Sequence, residues 1–113
     1  MDQIRPSELS DWLARQPAGA LPAVLDVREP WELQTASIGA GDGFELLHVP
    51  MSQIPQAAQH WDDERPVACL CHHGMRSMQV ARFLEQLGFA NVANISGGID
   101  LWSLERDPQV PRY

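Results

Sequence analysis

The sequence predicts an α/β domain built on a largely parallel sheet covered by helices on both faces. Three observations lead there. Short apolar, β-prone runs alternate along the chain with stretches of helical periodicity. One of these runs, Ala23-Val24-Leu25-Asp26-Val27, is nearly continuous in apolar residues, as strands buried on both faces are. Glycines, prolines and polar clusters punctuate the chain between the runs.

The elements follow in order. Ser7 is the expected N-cap of a first helix carrying Leu9, Trp12 and Leu13 at helical spacing, with Pro17 and Gly19 ending it. Residues 23–27 form a strand. Glu29-Pro30-Trp31-Glu32-Leu33 opens a short helix, because proline suits a first turn whose N–H groups have no partner and acids favour the dipole there. Gly39, Gly41 and Gly43 mark a loop, and residues 44–50 a second strand. Residues 52–61 give a weaker helix whose start Pro55 restricts. After the polar turn at 62–66, residues 67–71 are the third strand. The strongest helix follows: Val80, Phe83, Leu84 and Leu87 lie at i, i+3, i+4 and i+7, and Gly88 suits the position just past its end. Residues 92–95 are a strand closed by Gly97-Gly98, residues 99–105 a last short helix, and the tail from Pro108 to Tyr113 packed coil. No repeat or linker interrupts this pattern, so residues 1–113 read as one domain.

Composition narrows the function. The chain is 44% hydrophobic and 20% charged, which fits a globular protein rather than a disordered one. No apolar stretch approaches the length of a membrane span, and the start lacks a signal peptide's apolar core, so a cytoplasmic location is expected. The net charge is −7, and residues 1–65 carry all of it, with eleven acids against four arginines. Such a chain is a poor candidate for nucleic acid or an anionic membrane. It contains no lysine, which excludes Schiff-base chemistry and a P-loop lysine.

The chemistry points to Cys71-His72-His73-Gly74-Met75-Arg76-Ser77. Cys71 ends a strand and precedes a helix, where unpaired N–H groups and the dipole favour a thiolate. The carboxyl ends of parallel strands are also where ligands collect. Gly74 permits the positive φ that a loop with inward N–H groups needs, and Arg76 places a cation at its end. Cys71 is therefore the expected nucleophile, with His72, His73, Gly74, Met75 and Arg76 forming the substrate-binding loop. His72 and His73 read equally as solvated residues or as a lip of the site. Arg76 reads as a substrate contact or as the partner of a carboxylate such as Asp26 or Glu29. Ser77 reads as an N-cap or as a hydroxyl beside the thiol. Cys69 reads as core, Trp102 as packing. Cys69 and Cys71 share a face at a spacing that would strain a disulfide, and no second ligand pair supports a metal site.

Three patches together resemble the single-domain rhodaneses, the thiosulfate sulfurtransferases. Asp26-Val27-Arg28-Glu29-Pro30-Trp31-Glu32 is similar to the family's early Asp-Val-Arg-x-x-x-Glu box. Residues 71–77 resemble its active-site loop, and Asn94-Ile95-Ser96-Gly97-Gly98-Ile99-Asp100-Leu101-Trp102 its closing Gly-Gly-x-x-x-Trp box. The resemblance implies a five-stranded, mainly parallel rhodanese-like sheet. It implies that Cys71 takes the outer sulfur of thiosulfate or a similar donor as a persulfide and passes it to cyanide or a thiol, with thioredoxin or glutathione among the acceptors. No cofactor besides that persulfide is implied. Asp26 and Arg28 are carried over as structural residues near the site. One departure stands out: Ser37 occupies the place of the family's histidine, ahead of an insertion-like Gly41-Asp42-Gly43.

Two other readings are weighed beside it. A related fold carries phosphatases and arsenate reductases, whose loop places five residues between cysteine and arginine. Here residues 72–75 are four, a loop better matched to one sulfur atom than to a tetrahedral oxyanion. Rhodanese-like modules that only bind partners usually lack the cysteine, which this chain keeps.

Overall fold

The computed structural model describes residues 1–41 and 43–113. Five strands, β1 (Asp2–Ile4), β2 (Ala23–Asp26), β3 (Glu45–His48), β4 (Val67–Leu70) and β5 (Val92–Ile95), form one sheet in the order β1-β5-β4-β2-β3. Every pairing in it is parallel. The helices are α1 (Leu9–Ala14), α2 (Pro30–Thr35), α3 (Ile54–Ala57), α4 (Met75–Gln86) and α5 (Gly98–Glu105).

All residues of β2, β4 and β5 are buried, as the apolar runs require of strands covered on both sides. Side chains alternate across β4. Ala68 and Leu70 join Trp12, Ile95, Ile99 and Trp102 on one face. Val67 and Cys69 join Ile54, Val80, Leu84 and Phe89 on the other. Trp102 is a packing residue, as read from the sequence, with the Arg106 guanidinium 5.0 Å above its ring. α4 ends as its sequence predicts: Gly88 has φ 100°, and Phe89 N–H turns back to the Leu84 carbonyl at 3.1 Å.

The structure differs from the sequence reading at three places. β1 pairs with β5 at the sheet edge, although its three residues carry no strand pattern. Ser7 is not an N-cap. It lies within a 3-10 turn at Pro6–Glu8, where Glu8 accepts from Arg5 N–H, and its own hydroxyl bonds Glu105. The weak helix at 52–61 breaks into 3-10 turns at Met51–Gln53 and Ala58–His60 around the single turn of α3. Ser37 bonds back to the Leu33 carbonyl, whereas Asp42 of the insertion-like segment lies outside the described residues.

Candidate active site: a cysteine loop at the end of the central strand

β4 lies in the middle of the sheet, so its carboxyl end opens between the flanking strands β2 and β5. Cys71 is the first residue past that end. It is a free thiol, 1% exposed, and packs with the Cys69 face of the sheet. Cys69 is also a free thiol, and full burial pushes its pKa far up, which keeps it inert.

Two glycine contacts set the loop's shape. Gly74 has φ 100° and is itself the N-cap of α4, and a Cβ there would lie 3.1 Å from Gly97 N. At Gly98 a Cβ would lie 2.4 Å from the carbonyl oxygens of both Cys71 and His72. That close approach lets the first free N–H groups of α5 bond the loop, Ile99 to Cys71 O at 2.9 Å and Asp100 to His72 O at 3.2 Å. The loop's carbonyls are thereby held by α5, while Gly74 N–H points to the Cys71 sulfur at 3.1 Å.

Ser77 sits inside the first turn of α4, buried, with its hydroxyl 3.3 Å from Cys71 Sγ. It is therefore the hydroxyl beside the thiol and not the N-cap, which Gly74 provides. Asn94, on β5, fixes where the Ser77 proton lies. Its Nδ2 donates to the Gly74 carbonyl at 3.1 Å and to Gln3 Oε1 at 3.0 Å, so its Oδ1 faces Ser77. Oδ1 can only accept, and the 2.6 Å contact takes the single hydroxyl proton of Ser77. Ser77 thus offers a lone pair to Sγ, matched to a thiol S–H.

Arg76 forms a bidentate pair with Glu32, at 2.7 and 2.9 Å. The expected carboxylate partner is found, but it is Glu32 and neither Asp26 nor Glu29. Asp26 is taken by Arg28: the two are wholly buried and joined by bonds of 2.7 and 2.9 Å. Glu29 caps α2, with its N–H donating to Glu32 at 3.1 Å. Glu32 accepts a fourth bond from the Tyr113 hydroxyl at 2.6 Å. The Arg76 guanidinium foremost, with Tyr113 and the Glu29 N–H, holds the Glu32 carboxyl down at about 2 against the cost of burial. Arg76 is raised in turn. Burial first, and then Glu32, pushes the Tyr113 phenol up to about 12.

The rim is aromatic. Tyr113 stacks on His72 at 3.8 Å, and His72 on His73 at 3.8 Å. His72 Nε2 donates to the Tyr113 main-chain oxygen at 2.7 Å. Trp31 stands edge-on to Tyr113 at 6.3 Å, and Trp31 and Met75 are both largely exposed. Among the described residues, His72, His73 and Asp100 bring three potential metal-ligand atoms within 4.8 Å of one another. Both Asp100 oxygens are already engaged by Arg112, at 2.8 and 3.2 Å.

Sequence reasoning left four contributors without a role. Glu32 and Asn94 stand in motifs that were recognised. Gln3 depends on the unseen β1, whose register places it opposite Asn94. Tyr113 lies in the tail, where no periodicity announces a contact.

A free thiol on a short loop at the carboxyl end of the central strand, with N–H, hydroxyl and aromatic groups around it, on an all-parallel α/β sheet, defines the class of this protein. The chain belongs to the rhodanese-like domain family, whose model matches residues 6–105. It is 40% identical over 94 residues to Rhodanese-like/PpiC domain-containing protein 12, chloroplastic, of Arabidopsis thaliana; the match covers 80% of this chain and 30% of that protein. It is 33% identical over 84 residues to Thiosulfate sulfurtransferase GlpE of Tolumonas auensis, covering 73% of this chain and 74% of that one. Among solved structures, a rhodanese-related protein from Thermoplasma volcanium superposes with a TM-score of 0.75 at 30% identity, over the full length of both chains. Two relatives carry sulfurtransferase names, Putative sulfurtransferase YtwF of Bacillus subtilis and the GlpE protein of Tolumonas auensis. No helix among the described residues is long and apolar enough to cross a membrane.

Proposed function

We propose that the protein moves a sulfane sulfur from thiosulfate or a similar donor to cyanide or a thiol acceptor through a persulfide on Cys71. The observation that carries this reading is the loop itself, in which Cys71 Sγ meets the Gly74 N–H and the Ser77 hydroxyl at the mouth of a four-residue turn. The Cys71 thiolate attacks the outer sulfur of the donor. The donor's S–S bond breaks, its electron pair leaves with sulfite or a thiolate, and a new S–S bond forms on Cys71. The Gly74 N–H faces the sulfur and stabilises the charge on the persulfide. An acceptor nucleophile then takes the outer sulfur and returns the thiolate.

In this scheme Ser77 serves both states. Its proton rests on Asn94 while Cys71 is a thiol and turns to Sγ when the sulfur is anionic. The reading calls for no cofactor beyond the sulfur on Cys71, and it places the protein in the cytoplasm, with thioredoxin or glutathione as candidate thiol acceptors.

Intact-mass measurement after thiosulfate treatment tests it. One added sulfur atom is expected, absent in Cys71→Ser and retained in Cys69→Ser. Unchanged mass in the folded protein overturns the reading. Phosphate release from an aryl phosphate, dependent on Cys71, would replace it with a phosphatase.

A further inference from the structure

We propose that the Cys71 loop takes sulfur preferentially from an organic persulfide with an uncharged body rather than from a dianion such as thiosulfate, and that Glu32 sets this preference by neutralising Arg76. The inference rests on the sulfurtransferase reading and narrows its donor.

The arginines around the loop are each paired with a carboxylate. Arg76 is locked on Glu32, Arg28 on Asp26, and Arg112 on Asp100. Arg28 is wholly buried and meets no ligand. Arg76 is the guanidinium within electrostatic reach of Cys71, and both of its forward N–H groups are spent on one carboxylate. His72 Nε2–H is spent on the Tyr113 main-chain oxygen. A dianion entering this mouth therefore meets no unmatched arginine. The −7 of the whole chain, carried by the half that supplies α2 and Glu32, opposes its approach.

What the mouth offers is apolar area. Trp31 is 62% and Met75 65% exposed, and the Tyr113–His72–His73 stack continues that surface. Such a rim suits the carbon body of a thiol. The step balances without a further reactant. The Cys71 thiolate attacks the outer sulfur of R–S–SH, the S–S bond to R–S breaks, and R–S⁻ leaves with the bonding pair. The proton stays on the transferred sulfur, giving Cys71–S–SH, and no net oxidation occurs.

The test compares thiosulfate with the persulfide of 2-mercaptoethanol as donors, at pH 8, above the ordinary range of histidine. For the wild type, kcat/KM is expected to be at least tenfold higher with the persulfide, and the thiosulfate value should rise or stay flat as salt is added. Glu32→Gln frees the Arg76 charge and should raise the thiosulfate-to-persulfide ratio of kcat/KM about tenfold. Met75→Lys adds a cation at the exposed rim without touching the pair and should move the ratio the same way, which covers the case of a poorly folded Glu32 variant. Thiosulfate preferred by the wild type, a thiosulfate rate that falls with salt, or an unmoved ratio in both variants overturns the inference and leaves the sulfurtransferase reading standing. Cys71 loaded by neither donor overturns both.

Discussion

Asp26 and Arg28 stand two residues apart at the end of β2, and neither side chain is exposed. Glu32 and Arg76 stand 44 residues apart on α2 and α4, and 35% of the Arg76 side chain remains open to solvent. The first pair is closed on itself: the remaining guanidinium N–H of Arg28 finds the Glu32 carbonyl and the Tyr113 hydroxyl. It fastens the end of a central strand and, through Arg28, reaches Glu32 and Tyr113. The second pair joins two helices across the mouth of the site. A cation in the first turn of α4 sits at the unfavourable end of the helix dipole, and Glu32 supplies the counter-charge. The same chemistry thus serves as a sealed fastener in one place and as a partly open link beside the Cys71 loop in the other. Burial and sequence separation make the difference.

The largest effect expected from this comparison is on the sealed pair. Asp26→Asn keeps the shape but leaves Arg28 as a buried charge without its counter-ion, at a cost of about 3–5 kcal/mol. Urea unfolding of the two proteins measures it directly. A loss below about 1 kcal/mol would show that the Arg28 charge reaches water and that the two pairs are alike.

Acid distinguishes the second pair. Folding lowers the Glu32 carboxyl from its ordinary 4.5 to about 2. A depressed carboxyl stabilises the fold fully above its unfolded value, and the contribution is lost as the pH falls toward the folded one. About 3 kcal/mol should therefore disappear between roughly pH 4.5 and 2. Asp100 and Glu105 are also lowered, by Arg112 and Arg5 respectively, but both lie near solvent and add little. The difference between the wild type and Glu32→Gln isolates the Glu32 share. Parallel stability curves for the two proteins across that range would remove Glu32 from the account.

How far these pairs were legible in the sequence follows from the same distinction. The apolar runs located four strands to within a residue or two, because burial on both faces leaves a continuous signal in β2, β4 and β5. The loop of Cys71 and Gly74 was legible because a strand end and a positive φ each demand a particular residue type, whereas Gly98 was legible only as part of a box that resembles the family's, and its close approach to the loop was not. β1 was not: three residues at a sheet edge carry too little pattern, and Gln3 was lost with it. Asp26–Arg28 is local, so its motif contains both partners. Glu32–Arg76 is long-range, and the sequence left Arg76 open between a substrate contact and a carboxylate such as Asp26 or Glu29, not Glu32. Pairing of that kind is decided by how α2 packs beside α4, and no local rule encodes it. Tyr113 was beyond reach for the same reason, since its hydroxyl meets both pairs only after the tail has crossed the site.

Tyr113 provides the smallest and sharpest test, because its hydroxyl bonds a side chain of each pair. It donates to Glu32 at 2.6 Å and accepts from Arg28 at 3.0 Å. Tyr113→Phe preserves the ring that stacks on His72 and deletes only that link. Glu32 keeps both bonds from Arg76 and the one from Glu29 N–H, so the loss should be about 1–2 kcal/mol, the size of one hydrogen bond to a charged group. A double-mutant cycle with Glu32→Gln should give a coupling of about 1 kcal/mol, because the hydroxyl acts mainly through that carboxylate. The cycle with Asp26→Asn should give less, since Asp26 reaches Tyr113 only through Arg28. Equal couplings would mean that the two pairs form one network, and that the buried fastener also bears on the charge facing Cys71.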